Sequence, residues 1–263
     1  MKSTSDLKVP ASKISGLNVS ALKVKVFADG ADRASMLELY RQPYIKGFTT
    51  NPTLMRKAGV TDYEEFARDV LHYITDRPIS FEVFADDEKE MERQAHKIAS
   101  WAHNVYVKIP VTNTRRQPMY DLMRRLSADG IQINATALLA LDQVRHVAKA
   151  LQGGAPSYIS IFAGRVADTG RDPVPVMKSA LEIMAPNPHC QLVWASPREL
   201  LNIFQADEIG CHIITVTSDL LKKVNLIGKD LGDFSLETVQ MFHDDAARSG
   251  YTLEPKPAIA YSM

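Results

Sequence analysis

Cysteine is scarce in this chain of 263 residues: Cys190 and Cys211 are the only two, and they form no CxxC pair. That count excludes a disulfide framework and fits a reducing compartment. Seven histidines are present, yet none falls in an HExxH pattern or a Cys/His cluster, so the sequence offers no metal site. Excess charge is missing as well. With 31 Lys and Arg against 31 Asp and Glu, long-range attraction to nucleic acid or to an acidic membrane is removed as a binding force. No segment approaches the ~20 apolar residues of a membrane span, and the N-terminal MKSTSDLKVPASKISGLNVSALK has no apolar core of signal-peptide length. The expectation is a soluble, cytoplasmic protein that engages neither nucleic acid nor membrane. Finally, no strand-like run is followed by GxGxxG and no low-complexity linker divides the chain.

What the chain does have is alternation. Eight short runs rich in β-branched residues can be marked: VKVFAD (24–29), YIKGFTTN (44–51), ISFEVF (79–84), VYVKIPV (105–111), IQINATA (131–137), YISIFAG (158–164), QLVWAS (191–196) and HIITVT (212–217). Amphipathic helical patterns follow them, such as DEKEMERQAHKIASWA and LDQVRHVAKALQ. Eight strand-helix units predict an α/β fold, a single (β/α)8 TIM barrel; a doubly wound open sheet usually has five or six strands and a glycine-rich first turn. Residues 23–225 are assigned to the barrel, 1–22 to an N-terminal extension, and 226–263 to an extra C-terminal helix and tail. Ser196-Pro197-Arg198-Glu199 reads as a helix start, with a Ser cap and Pro at the first helical position.

In such a barrel the C-terminal ends of the strands form the active-site face. Nearly every run places a polar group there: Asp29, Asn51, Glu82, Lys108, Asn134 with Thr136, Ser160 with Arg165, and Ser196 with Arg198. Each also has a plain structural reading. Asp29 and Asn51 stand where helix caps belong, Glu82 can pair with a lysine, Ser196 caps a helix, and the arginines can be solvated loop charges. Lys108 is the sharpest case, because Val105, Val107, Ile109 and Val111 surround it in a strand that a parallel barrel covers on both faces. It snorkels out of the strand end, neutralises Glu82, or serves as an amine nucleophile toward a carbonyl. Lys25 and Lys46 lie too early in their strands to compete.

The segments FADGAD, KGFTTNPTLM, VYVKIPVT, INATA, ISIFAGR and WASPRE resemble, in order and spacing, the signature segments of the transaldolase family, which includes the fructose 6-phosphate aldolases. The resemblance implies a class I aldolase on a (β/α)8 barrel, with a strand-four lysine Schiff base, no metal and no cofactor. By that resemblance Lys108 is the Schiff-base lysine, Asp29 the acid/base of carbon–carbon cleavage, Glu82 the second acid/base, and Thr136 the residue that positions a water. Asn51, Asn134, Ser160 and Phe162 fall to the dihydroxyacetone unit, and Arg165, Ser196 and Arg198 to a substrate phosphate. Guanidinium groups suit that last task on physical grounds, since they bind phosphate bidentately.

The family's transaldolases carry Glu on strand three and Phe in the strand-six segment, where its aldolases carry Gln and Tyr; Glu82 and Phe162 side with transaldolase. Pro197, at a position where the family usually has an aromatic residue, and FADGAD in strand one depart from the pattern. They leave open a fructose 6-phosphate aldolase-type reaction or a specialised acceptor or donor, such as a modified or sulfonated sugar. A non-catalytic sugar-phosphate-binding barrel and a metal-dependent aldolase are the rivals from other classes. Phe234, Leu236, Val239 and Phe242 recur at helical spacing near the C-terminus, a pattern that more often marks packing on the chain's own barrel than a partner contact. The partners that the resemblance implies are sugar phosphates and, through that C-terminal helix, further copies of the chain in a homo-oligomer.

Overall fold

The strands form because β-branched runs alternate inward and outward side chains, and they close because eight of them share one parallel order. A computed structural model describes residues 21–253, so residues 1–20 of the expected extension and the tail from 254 lie outside the described residues. The strands are β1 (Lys25–Asp29), β2 (Ile45–Thr49), β3 (Ile79–Glu82), β4 (Val105–Pro110), β5 (Ile133–Leu138), β6 (Ser157–Ile161), β7 (Cys190–Trp194) and β8 (Ile213–Thr217). They pair consecutively into a closed barrel, with β8 parallel to β1. The helices are α1 (Arg33–Tyr40), α2 (Pro52–Lys57), α3 (Tyr63–Tyr73), α4 (Glu88–Ala99), α5 (Tyr120–Ala128), α6 (Leu141–Ala150), α7 (Ala163–Ala167), α8 (Pro173–Met184), α9 (Leu201–Glu208), α10 (Ser218–Leu221) and α11 (Leu231–Ser249). The fold is therefore the single (β/α)8 TIM barrel that the alternation predicts.

The outer helices follow from their spacing. In α4, Met91, Ala95 and Ile98 recur at one face and are buried, while Lys89, Arg93 and Lys97 are exposed. Asp87 caps it through the backbone N–H groups of Lys89 and Glu90, as Asp32, Asp62 and Asp172 cap α1, α3 and α8.

Inside the barrel, a period of two sorts the residues into layers. Phe27, Tyr106, Tyr158, Val193 and Ile213 form one buried cluster. The rings of Tyr106 and Tyr158 stack at 3.9 Å, and Phe27 meets Tyr158 edge-on at 5.9 Å. Gly47 leaves room for this floor, because a Cβ there would stand 2.6 Å from the Phe27 ring. Two residues further along the same strands come Asp29, Lys108, Ser160, Ala195 and Thr215, the lining of the opposite mouth. Lys25 and Lys46 line a separate cavity with the floor residues, at the strand starts.

One expected helix start is corrected. Ser196 caps nothing; its backbone takes the left-handed conformation at φ +60°, and α9 begins only at Leu201. No side chain caps α9; Asn202, within it, instead holds the preceding segment, its side-chain carbonyl accepting the N–H groups of Arg198 and Glu199 at 2.8 and 3.2 Å.

The chain divides into two compact units, one ending at Asn225 and holding the barrel, the other starting at Leu226 and holding α11. Within its unit α11 opens on an Asp230 cap and closes at Gly250, in the left-handed region at φ +66° where glycine is unstrained. No helix among the described residues is long and apolar enough to cross a membrane. Cys190 and Cys211 are buried and unpaired, and burial pushes their thiols up to about 11 and about 12, which keeps them protonated and unreactive.

Candidate active site

A cavity of about 670 Å3 opens at the C-terminal ends of the strands, and all eleven residues singled out from the sequence line it. Register brings the central three together. Glu82 pairs with Lys108 across β3 and β4, and Lys108 with Asn134 across β4 and β5, so their side chains share one row. Lys108 is 6% exposed. Its Nζ lies 3.0 Å from Glu82 Oε2 and donates to the Thr50 carbonyl at 2.7 Å. The ion pair is thus real and partly desolvated, a placement that costs several kcal/mol per ion before the attraction offsets it.

Asp29 stands at the end of β1 and caps no helix; Asp32 caps α1 instead. Its carboxylate accepts the Thr49 hydroxyl at 2.7 Å, and Thr49 in turn meets the buried Thr215 hydroxyl. Since Thr49 gives its proton to Asp29, Thr215 must donate to Thr49, and a chain of hydroxyls runs from β8 through β2 to β1. Burial raises the Asp29 carboxyl above the ordinary carboxylate range; the Lys108 charge and the Thr49 hydrogen bond oppose that shift without cancelling it.

The amide of Asn134 is held from both sides: its oxygen accepts Ser160 Oγ at 2.7 Å, and its nitrogen donates to Ser80 Oγ at 3.0 Å. Ser160 keeps its lone pairs for a second partner. Asn51 does cap α2, accepting from the Leu54 N–H at 2.9 Å with Pro52 at the first helical position, so its structural reading holds while its NH2 remains unspent by that bond. Thr136 is the reverse. Its buried hydroxyl has no protein partner among the described residues, in a wall where buried hydroxyls are otherwise bonded. Around it, between Ala135 and Leu138, β5 breaks register with β6, and Ala137 sits at φ +64°. A non-glycine residue in that region is strained, and here it re-aims the strand end into the cavity.

The anionic-group candidates sit at the rim. Arg165 reaches over the Phe162 ring, 5.8 Å from its centroid. Arg198 is already engaged: its Nε donates to Asp168 at 2.9 Å and its Nη2 to the other Asp168 oxygen, a bidentate pair that holds the Asp168 carboxyl below its usual range. Gly164 makes this crossing possible, because a Cβ there would stand 1.6 Å from the Ser196 carbonyl oxygen and 3.2 Å from Arg198 Nε.

Residues 26–255 match the Transaldolase/Fructose-6-phosphate aldolase family. The chain belongs to that family. Among its curated relatives, a protein of Dehalococcoides mccartyi named "Probable transaldolase" is 31% identical over 76% of this chain and 90% of its own. A "Probable transaldolase" of Clostridium acetobutylicum is 33% identical over 81% of this chain and 94% of its own. Among solved structures, a mandelate oxidase variant superposes with a TM-score of 0.53 at 13% identity, covering 79% of this chain and 73% of that one, which is likeness of fold alone.

For this member of the transaldolase/aldolase family, sequence reasoning missed Thr49, Thr215 and Asp168. Strand eight was the one strand without a polar candidate, and that gap was the available signal for Thr215. Asp168 had none, since it meets Arg198 across 30 residues of sequence.

Proposed function

We propose that the protein is a Schiff-base transaldolase, which moves a dihydroxyacetone unit from a ketose phosphate resembling fructose 6-phosphate to an aldose acceptor. One observation carries the reading: a buried lysine amine lies 3.0 Å from one carboxylate and in the same cavity as a second. In this reading Lys108 Nζ yields a proton to Glu82 and adds to the ketose C2 carbonyl. Glu82, through a water that Thr136 holds, returns a proton to the leaving hydroxyl, and water departs to give the protonated imine. The C3–C4 bond then breaks. Its electrons flow into the imine to form an enamine, while the C4 hydroxyl proton passes to Asp29 and the aldose product leaves. Attack of the enamine on a second aldehyde, with Asp29 returning its proton to the new alkoxide, forms the new ketose, which hydrolysis releases. Membership of the family and the names of its relatives support this chemistry.

The test begins with fructose 6-phosphate and borohydride. A dihydroxyacetone-sized mass increment on the wild-type chain, lost in Lys108→Met, is the expected result; an equal increment on both would place the imine elsewhere. Adding an acceptor aldehyde then separates the two outcomes of the family, since transfer yields a new ketose phosphate and aldol cleavage yields free dihydroxyacetone.

A second reading, a specialised donor or acceptor, is favoured by the Asp168–Arg198 pair. With Asp168 engaged, the rim presents one net positive charge rather than two to a phosphate dianion. Arg165→Ala is therefore expected to raise KM for a phosphorylated donor more than Arg198→Ala does, by about 10- to 100-fold, the worth of one charge-assisted hydrogen bond of about 1.5–3 kcal/mol. Asp168→Asn is expected to lower that KM. Steady-state kinetics with phosphorylated and unphosphorylated donors check both.

A further inference from the structure

Strand β2 abandons its neighbour before β3 ends. The β2–β3 ladder stops at the pairing of Thr49 with Ser80 and the bond from the Thr50 N–H to the Ser80 carbonyl. At Asn51 the chain turns into α2. Glu82, two residues beyond Ser80, presents its N–H and C=O toward the same edge, because backbone groups two apart in a strand point the same way. No strand remains there to meet them. On the opposite edge β4 is still in place, with the Val83 N–H bonded to the Lys108 carbonyl.

A single phenol fills the vacancy. Tyr63 Oη accepts the Glu82 N–H at 2.8 Å and donates to the Glu82 carbonyl at 2.8 Å. One hydroxyl thus replaces the missing strand at the one residue whose side chain stands 3.0 Å from Lys108 Nζ. The ring is itself fixed, edge-on to Phe81, Phe84 and Trp101 at 5.6–6.3 Å, and it opens α3 behind the Asp62 cap. Without the hydroxyl, the last residue of β3 has two unbonded backbone groups and its carboxylate is held only by Lys108.

We propose that Tyr63 is a positioning residue: it stands in for the absent strand and holds Glu82 at the distance needed for proton transfer with Lys108. The inference rests on the Schiff-base reading of Lys108. Tyr63 is not among the residues that line the cavity and its hydroxyl bonds the backbone of Glu82, so its influence passes through that backbone. Displacements of about 1 Å in such groups cost up to about 100-fold in rate.

The experiment is a time course of borohydride-trapped imine, alongside steady-state kinetics, on the full chain carrying Tyr63→Phe. Imine formation and kcat are expected to fall together by about ten-fold, with KM within two-fold of wild type. Trp101→Phe, which disturbs the same ring cluster without touching Glu82, is expected to lower the unfolding temperature and leave the imine rate unchanged. In a Glu82→Gln background the Tyr63→Phe effect is expected to shrink toward unity, whereas a merely structural role predicts the same factor in both backgrounds. Tyr63→His, able to serve one of the two backbone groups, is expected to lie between wild type and Tyr63→Phe, and it replaces the latter should that variant fail to fold. A wild-type imine rate in these folded variants overturns the role of Tyr63 and leaves the Schiff base intact; no trapped imine on the wild type overturns the Schiff base itself.

Discussion

Lys108→Met is expected to lower turnover by about 10,000-fold or more and to abolish the borohydride-trapped adduct, since no other amine among the lining residues of the cavity can replace the nucleophile. Met is close to Lys in length and supplies no nitrogen. The substitution also has a structural consequence. Glu82, whose side chain is 19% exposed, loses the cation 3.0 Å away and is left as a partly buried carboxylate without a counter-charge. Removing one partner of a buried pair destabilises by about 3–5 kcal/mol at full burial, and solvent access at Glu82 discounts that figure. The unfolding midpoint of Lys108→Met should therefore fall below wild type at pH 7. Activity lost with no change in midpoint would mean that the pair contributes nothing to the fold.

Asp29→Asn has the opposite sign in stability. It is expected to lower kcat by between about 100- and 10,000-fold, the range for loss of a general acid/base. The same variant is expected to unfold at a higher temperature than wild type at pH 7. Burial raises the folded-state pKa of Asp29 above its unfolded value of 3.8, so the folded chain binds this proton more tightly. Stability from this group is accordingly lost as pH rises from 3.8 through the folded-state value. Asn still accepts the Thr49 hydroxyl and carries no charge to desolvate. Each kcal/mol relieved should raise the midpoint by ~2–4 °C for a chain of this size, and the gap should narrow as pH falls toward 3.8. Calorimetry across that range checks the sign; a variant less stable than wild type at pH 7 would show that Lys108 outweighs burial at Asp29.

These two residues also mark how far the sequence could be read. A lone charge among Val105, Val107, Ile109 and Val111 is visible without coordinates, because burial on both faces of a parallel strand makes it anomalous. Asp29, Glu82 and Ser160 were legible for a related reason: each is a polar residue toward the C-terminal end of an apolar run, and the fold places such residues at one mouth. Ser196 was misread, since the motif Ser-Pro-Arg-Glu satisfies the local chemistry of a helix start. The close crossing at Gly164 and the left-handed backbone at Ser196 decide otherwise, and neither leaves a local mark.

The eight strands, their order, and the gathering of polar residues at their C-terminal ends were determined by the sequence alone, because periodicity and strand count are local properties that the chain carries along its length. Contacts between distant segments were decided by the tertiary structure. Thr215 reaches Thr49 and Asp29 only because β8 closes onto β1; Asp168 occupies Arg198 only because α7 passes beneath the segment after β7; Tyr63 serves Glu82 only because β2 leaves before β3 ends. Each is a hydrogen bond of about 3 Å between groups far apart in sequence, and its existence depends on where the closed barrel puts both ends, which no residue's own neighbours in the chain specify.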